Sequence, residues 1–121
     1  MLILGIALAG AIGAPVRYVL DGYVQARARG DLPLGTLVIN TTGSLVLGFL
    51  TGLALYHAFP ATPKTILGTG FCGAYTTFST FTYETVRLAE EREFGAAWRN
   101  ALASLVLPAL AAAAGLILAA L

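Results

Sequence analysis

The sequence GTGFCGAYTTFSTFTYE, from Gly68 to Glu84, lies inside an apolar segment of the chain and differs from it in composition. Three glycines are followed by five hydroxyl residues and by two phenylalanines spaced by three. A helix that faces lipid throughout has no need of this composition, and unwound backbone at membrane depth is tolerated only inside protein or beside water. The stretch predicts either a functional break in a membrane segment or a continuous helix whose Ser and Thr side chains bond back to their own carbonyls.

The composition around this stretch is that of a membrane protein. The 121 residues are 58% hydrophobic and 11% charged, and the mean hydropathy is +0.82. Soluble domains carry roughly 25% charged residues, so this chain has too few polar side chains to cover a water-facing surface. We expect one domain, residues 1–121, in a multi-pass arrangement in the cell membrane, with the lipid bilayer as its solvent.

Four apolar segments are predicted to cross the bilayer, at Leu2–Leu20, Leu34–Tyr56, Thr65–Val86 and Ala96–Leu121. Each is close to the ~20 residues that a helix needs to span a membrane. The connectors are short, at Asp21–Pro33, His57–Lys64 and Arg87–Gly95. The predicted fold is therefore an all-α membrane protein of four transmembrane helices, with the third helix either broken or continuous at the Gly68–Glu84 stretch.

Basic residues predict the orientation of the chain. Five arginines lie on or beside the first and third connectors, and only Lys64 lies at the second. Because Lys and Arg concentrate on the cytoplasmic side, the first and third connectors are predicted to be cytoplasmic and both termini outside.

Small residues recur every four positions along two segments, as Gly5, Ala9 and Gly13 in the first and as Ser44, Gly48 and Gly52 after Asn40 in the second. This spacing lets helix backbones approach closely in lipid. Packing within one bundle explains most of these small residues. Four helices enclose little space, however, so we expect a transport path to need a second subunit.

Two polar side chains are further candidates for function. Asn40 lies inside the second segment, where it can donate two hydrogen bonds or act as glue between helices. Arg17 lies near the end of the first segment, where it can snorkel to the interface or give a vestibule a positive potential that attracts anions. Composition alone does not decide between these roles.

Phe78 and Phe81 would share nearly one face if the chain there is helical. Core packing is the usual role of membrane phenylalanines, but a ring edge is electropositive and can partner an anion. The single Cys72, the lone His57 and Glu84 are interpreted as structural, with Glu84 closing a polar contact near the end of the third helix.

Other classes of function have little support in the sequence. There is no basic tract for nucleic acid, and no nucleophile, general base or cofactor loop that would indicate an enzyme. A small drug/proton antiporter would need a membrane-embedded carboxylate, and the first segment contains none. A structural membrane subunit without a transport path is the third alternative.

At three places the sequence resembles the small fluoride-channel family, the Fluc or CrcB proteins. The strings GAPVRY from Gly13 to Tyr18, GTLVINTTG from Gly35 to Gly43 and GFCGAYTTFSTF from Gly70 to Phe81 look like the family's signatures of the first three helices. The resemblance covers nearly the whole chain. It implies a passive fluoride channel that exports cytoplasmic fluoride, built as an antiparallel dimer with two pores. Each subunit would have four transmembrane helices, with the third helix broken.

The resemblance also implies roles for particular residues. Backbone carbonyls of Gly73 and Thr76 would hold a structural sodium ion on the dimer axis, and Arg17 would lie near the aqueous entrance. The fluoride pore would be lined by the following residues: Asn40, Phe78, Phe81, Ser79, Thr80 and Ser104.

Two features depart from the family pattern. The fourth segment often carries further polar residues in the family, whereas here we expect only Ser104 to contribute, with Pro108 as a kink. The arginine bias is also strong for a homodimer that inserts both ways. The second subunit can therefore be an identical copy or a homologous, oppositely oriented partner.

Overall fold

The structure is a computed structural model that describes residues 1–30 and 32–121. Within these ranges every regular element is a helix. In chain order they are α1 (Leu2–Arg27), α2 (Leu34–Tyr56), α3 (Ala61–Thr65), a π-helix (Ile66–Cys72), α4 (Gly73–Tyr75), α5 (Ser79–Glu90) and α6 (Phe94–Ala120). Three of them, α1, α2 and α6, are long and apolar enough to cross a membrane. The predicted all-helical membrane fold is confirmed.

The third apolar segment is the one that is not a single helix. α3, the π-helix and α4 follow one another without a gap, and the chain then becomes extended at Thr76, with φ −84° and ψ 161°. It returns to helix at Ser79. The break therefore spans residues 76–78, and the alternative of a continuous helix is wrong.

Four predicted boundaries, in three segments, shift. α1 continues past Leu20 to Arg27, and the third segment runs from Ala61 to Glu90 instead of Thr65 to Val86. α6 begins at Phe94, ahead of the predicted Ala96, and continues through Pro108. Hydropathy marks the depth of the bilayer, whereas a helix continues into water wherever the backbone allows it, so apolar runs underestimate helix length.

Glycines bring the helices into close contact. A methyl group on Gly48 would overlap the carbonyl of Ala112, and one on Gly115 would overlap the carbonyl of Leu45, so α2 and α6 touch backbone to backbone. Gly13 of α1 lies in the same way against the carbonyl of Phe71 in the π-helix. The small-residue stripes predicted for the first two segments therefore serve packing within this subunit.

The bundle has two distinct ends. At one end the ring of His57 hydrogen-bonds the carbonyl of Ala119 at 2.7 Å, tying the end of α2 to the end of α6. At the other end the backbone N–H of Gly35 donates to the side chain of Gln25 at 2.9 Å, and Leu88 packs against Ala96 and Ala97. The first and third connectors, with their arginines, share this second end.

Candidate functional site

Asn40 of α2 holds the break in the third segment. Its Nδ2 donates to the carbonyl oxygen of Thr77 at 2.8 Å, and its Oδ1 accepts from the backbone N–H of Thr77 at 2.9 Å. The interruption of the helix would otherwise leave the N–H and C=O of Thr77 without partners. Asn40 pairs with both, as buried peptide groups require. One hydrogen of Nδ2 is not used by Thr77, because a side-chain amide carries two.

Arg17 of α1 reaches the same break from another side. Its Nη1 donates to the carbonyl oxygen of Thr76 at 3.3 Å. Thr76 is half-buried, and its hydroxyl donates to the carbonyl of Cys72 at 2.9 Å. The guanidinium therefore lies at the end of the first helical half of the segment, where helix carbonyls favour positive charge.

The two helical halves present opposite polarity to the break. The half from Ala61 to Tyr75 ends there with its carbonyls, and α5 begins there with its N–H groups. The hydroxyl of Thr77 accepts the backbone N–H of Thr80 at 3.2 Å and so caps α5. A cation is favoured at the first of these ends and an anion at the second.

An open groove of about 530 Å³ runs along one side of the break. It lies between α2, the third segment and α6. The residues that line it are Asn40, Gly43, Ser44, Leu47, Gly68, Cys72, Gly73, Thr76, Thr77, Phe78, Phe81, Ala101, Ser104, Leu105 and Pro108. Its wall is mostly apolar, with a few amide, hydroxyl and carbonyl groups gathered near the break.

The phenylalanine pair forms one wall of this groove. The ring centroids of Phe78 and Phe81 are 5.5 Å apart and the ring planes are inclined by 59°. Phe78 is 76% exposed, whereas Phe81 is half-buried. A tilted pair of this kind turns at least part of a ring edge outward, which is the electropositive part of the ring.

A smaller cavity of about 170 Å³ lies on the other side of the break. It is lined by Arg17, Tyr18, Asp21, Thr36, Ile39, Thr77 and Thr80. Thr77 lines both this cavity and the groove. The residue that Asn40 holds in place therefore separates the two spaces.

The structure brings most of the predicted site residues together. Six of them line the groove, namely Gly73, Thr76, Asn40, Phe78, Phe81 and Ser104. Arg17 and Thr80 line the smaller cavity instead. Ser79 is exposed and lines neither, although its hydroxyl lies 3.3 Å from that of Thr77. Their roles toward an ion stay predictions.

The fourth segment carries a second polar side chain that the sequence analysis did not single out, whereas the expected contribution of Ser104 to the ion path stays a prediction. Asn100 of α6 is 3% exposed, and its Nδ2 donates to the hydroxyl of Thr85 at 2.7 Å. The hydroxyl of Ser104 lies 3.5 Å from Oδ1 of Asn100. An amide four residues before a serine, in a run of alanines and leucines, is the signal that would have revealed this pair.

The predicted polar contact of Glu84 is confirmed. The hydroxyl of Thr36, which is 4% exposed, donates to Oε1 of Glu84 at 2.5 Å. This bond joins α5 to α2 on the side of the bundle that carries the first and third connectors.

Comparison with known proteins assigns the chain to a family. The family model described as "CrcB-like protein, Camphor Resistance (CrcB)" matches residues 4–116. The chain belongs to the CrcB family. The match includes the break, Asn40, Arg17 and the buried Asn100.

Several CrcB relatives carry the name of fluoride-specific ion channel. FluC 1 of Leifsonia xyli subsp. xyli is 50% identical over 116 residues, which are 96% of this chain and 85% of that protein. FluC 2 of Mycolicibacterium paratuberculosis is 50% identical over 111 residues, 92% of this chain and 88% of the relative. FluC of the archaeon Thermococcus kodakarensis is 44% identical over 118 residues, 96% and 94% of the two chains.

Proposed function

We propose that this chain is a subunit of a passive, fluoride-selective ion channel and not an enzyme. The proposal is supported by the CrcB relatives, which are named as fluoride-specific channels. The observation that carries it in this chain is the groove at the break. There, the amide of Asn40, the hydroxyl of Ser104 and the ring pair of Phe78 and Phe81 line one cavity.

Fluoride is small and tightly hydrated, so a selective path must replace its water with firm hydrogen-bond donors. The unused hydrogen of Asn40 Nδ2 is such a donor. The hydroxyl of Ser104 becomes a second donor when it turns away from Asn100 Oδ1, a weak acceptor at 3.5 Å. The phenylalanine edges are weaker partners from which the ion leaves readily. Conduction needs binding that is favourable enough for the ion to enter and weak enough for it to leave.

Export needs no coupled energy source. A membrane potential that is negative inside drives an anion outward by about 2.3 kcal/mol per charge per 100 mV. A passive pore that excludes chloride is therefore sufficient to lower cytoplasmic fluoride.

The working channel in this proposal is an antiparallel dimer with two pores. Phe78 is 76% exposed, and the groove beside it is partly open to the surroundings. An ion path needs walls on all sides, and a second subunit packed over this face would supply them. Gly73, which also lines the groove, is exposed and would then face the partner.

A structural sodium ion fits the donor set at the break. The carbonyls of Gly73 and Thr76 lie at the C-terminal end of a helical half, where the helix dipole favours a cation. The space beside Gly73 is open: the nearest atom to a Cβ placed there would be the carbonyl oxygen of Gly68, at 3.9 Å. Two carbonyls from one chain form only part of a coordination shell, so the second subunit would contribute the same pair.

The arginine distribution favours a partner that is not identical to this chain. Arg27, Arg29, Arg87, Arg92 and Arg99 lie at or near one end of the bundle, and Lys64 lies at the other. Such a bias gives one orientation, with the arginine-rich end in the cytoplasm. An antiparallel dimer then requires a homologous chain of opposite bias.

The test uses purified protein reconstituted in liposomes, alone and together with any homologous chain encoded beside it. Liposomes loaded with fluoride and chloride should release fluoride on addition of a potassium ionophore and retain chloride. A folded sample that releases neither ion in either combination would contradict the proposal. Release of fluoride only in the mixed sample would support the non-identical pair.

A further inference from the structure

The hairpin of α5 and α6 has a regular order of contacts that ends where the groove begins. At its base, Leu88 of α5 packs against Ala96 and Ala97 of α6. One turn further along, Asn100 Nδ2 donates to Thr85 Oγ1 at 2.7 Å. Within residues 1–30 and 32–121, this is the side-chain hydrogen bond that joins α5 to α6.

The two helices run antiparallel, so the same register continues toward the break. Beyond the pair of Thr85 and Asn100, Phe81 stands level with Ser104, and Phe78 with the turn that contains Pro108. The residues of this second group, Phe78, Phe81, Ser104 and Pro108, all line the groove. The bond between Thr85 and Asn100 is therefore the point at which contact between the helices gives way to open space.

The bond is also connected to the groove wall through the helix backbone. Thr85 Oγ1 donates its hydrogen to the carbonyl of Phe81 at 2.8 Å, so the hydroxyl accepts from Asn100 with a lone pair. Ser104 Oγ lies 3.5 Å from Asn100 Oδ1. One buried amide thus contacts both Thr85, which bonds the backbone carbonyl of Phe81, and the serine on the opposite wall.

Glu84, the residue before Thr85, connects the other side of α5 to α2. Glu84 accepts the hydroxyl hydrogen of Thr36 from α2. Adjacent side chains of α5 therefore reach in two directions, one to α2 and one to α6. Without the bond to Asn100, the turn of α5 that contains Glu84 and Thr85 would be held by a side-chain hydrogen bond to α2 only.

We propose that Asn100 is a positioning residue that sets the separation of the Phe78–Phe81 wall from the Ser104 wall, and thereby the discrimination between fluoride and chloride. This inference rests on the proposed function. A small ion is selected by donors held close together, so a groove whose wall can move outward admits a larger ion. Asn100 itself lies behind the wall and does not line the groove.

The experiment measures the ratio of fluoride to chloride efflux from liposomes. A ratio does not depend on the fraction of protein that folds, so it separates positioning from general stability. Asn100→Leu and Thr85→Val remove the bond from either side with little change in side-chain volume. We expect the ratio to fall about tenfold in each variant, the equivalent of one lost hydrogen bond of about 1.4 kcal/mol. The double variant should be no worse than either single one, because both remove the same bond.

Two controls accompany these variants. Thr85→Ser keeps the hydroxyl and should retain the wild-type ratio. Thr82→Val removes an equivalent bond within α5, from the Thr82 hydroxyl to the Phe78 carbonyl at 3.0 Å, at an exposed position. It too should retain the ratio.

A ratio within twofold of wild type in Asn100→Leu and Thr85→Val, or an equal fall in Thr82→Val, would overturn the inference. If Asn100→Leu does not fold, Thr85→Val decides the question by itself. All variants are measured in whichever combination, alone or with the homologous chain, lets the wild-type protein release fluoride. Failure of the wild-type protein to release fluoride in both combinations contradicts the proposed function instead, so the two outcomes are distinguishable.

Discussion

Asn40 and Thr77 form a two-point pair, in which the side-chain amide of one residue meets both the N–H and the C=O of the other at 2.8–2.9 Å. An amide is suited to this geometry because it carries a donor and an acceptor side by side, as a peptide group does. Asn40 thus has a structural part at the break in addition to the donor role proposed for its second hydrogen.

The first prediction concerns loss of this pair. Asn40→Ala leaves the N–H and C=O of Thr77 without partners, at an expected loss of about 1–3 kcal/mol in unfolding free energy. We also expect fluoride efflux to fall at least about tenfold, the effect of a barrier raised by about 1.4 kcal/mol. Thermal unfolding in detergent and liposome efflux measure the two effects. Ser44→Ala, one turn along the same groove, is the matched control and should change both only slightly.

The second prediction concerns the charge of Arg17. In Arg17→Gln we expect slower fluoride efflux at low ionic strength and a smaller difference from wild type at high ionic strength. Salt screens attraction over about 30 Å at 0.01 M but only about 8 Å at 0.15 M. Arg17→Lys keeps the charge and should resemble wild type at low salt. An equal loss for Arg17→Gln at both salt concentrations would show that the bond to Thr76, and not attraction of the anion, is what matters.

The third prediction tests whether the groove needs aromatic rings or only apolar side chains. Phe81→Ile and Phe78→Ile keep an apolar side chain but remove the electropositive ring edge. We expect each to lower fluoride efflux about tenfold, which corresponds to about 1.4 kcal/mol of lost stabilisation of the passing ion. Phe49→Ile, on α2 and outside the groove lining, should leave efflux unchanged. Wild-type efflux in both groove variants would argue that the rings serve packing alone.

The fourth prediction tests the close contact of α2 with α6. Gly48→Ala would push a methyl group into the Ala112 carbonyl, and we expect a loss of about 1–3 kcal/mol in unfolding free energy. Gly22→Ala is the matched control, since a methyl group there meets nothing within 4 Å. In a helix interior the alanine should stabilise by about 0.5–1 kcal/mol. Thermal unfolding of both variants in the same detergent decides the matter, and similar shifts in both would contradict the assignment.

Hydropathy was enough to predict the membrane helices. The composition of the Gly68–Glu84 stretch located the candidate interruption in the third helix, and the family resemblance was needed to choose a break over a continuous helix. None of these was enough to predict features that depend on distant parts of the chain. The pairing of Asn40 with Thr77 joins residues that lie far apart in sequence, and nothing in the sequence near either residue indicates it. Asn100 was missed because a single amide among alanines has little effect on mean hydropathy. The extension of α1 to Arg27 was missed because water-exposed helix carries no apolar signal.

The π-helix at Ile66–Cys72 affects how related chains should be aligned. Its hydrogen bonds join residues five apart in sequence, whereas those of an α-helix join residues four apart. A π-helical segment therefore contains an additional residue. Removal of the exposed Thr69 would let the chain close into ordinary α-helical turns. A deletion within α5 would instead turn Glu84 and Thr85 away from their partners. A gap of one residue is therefore expected among homologues within residues 66–72, before the break, and not between Thr76 and Thr85.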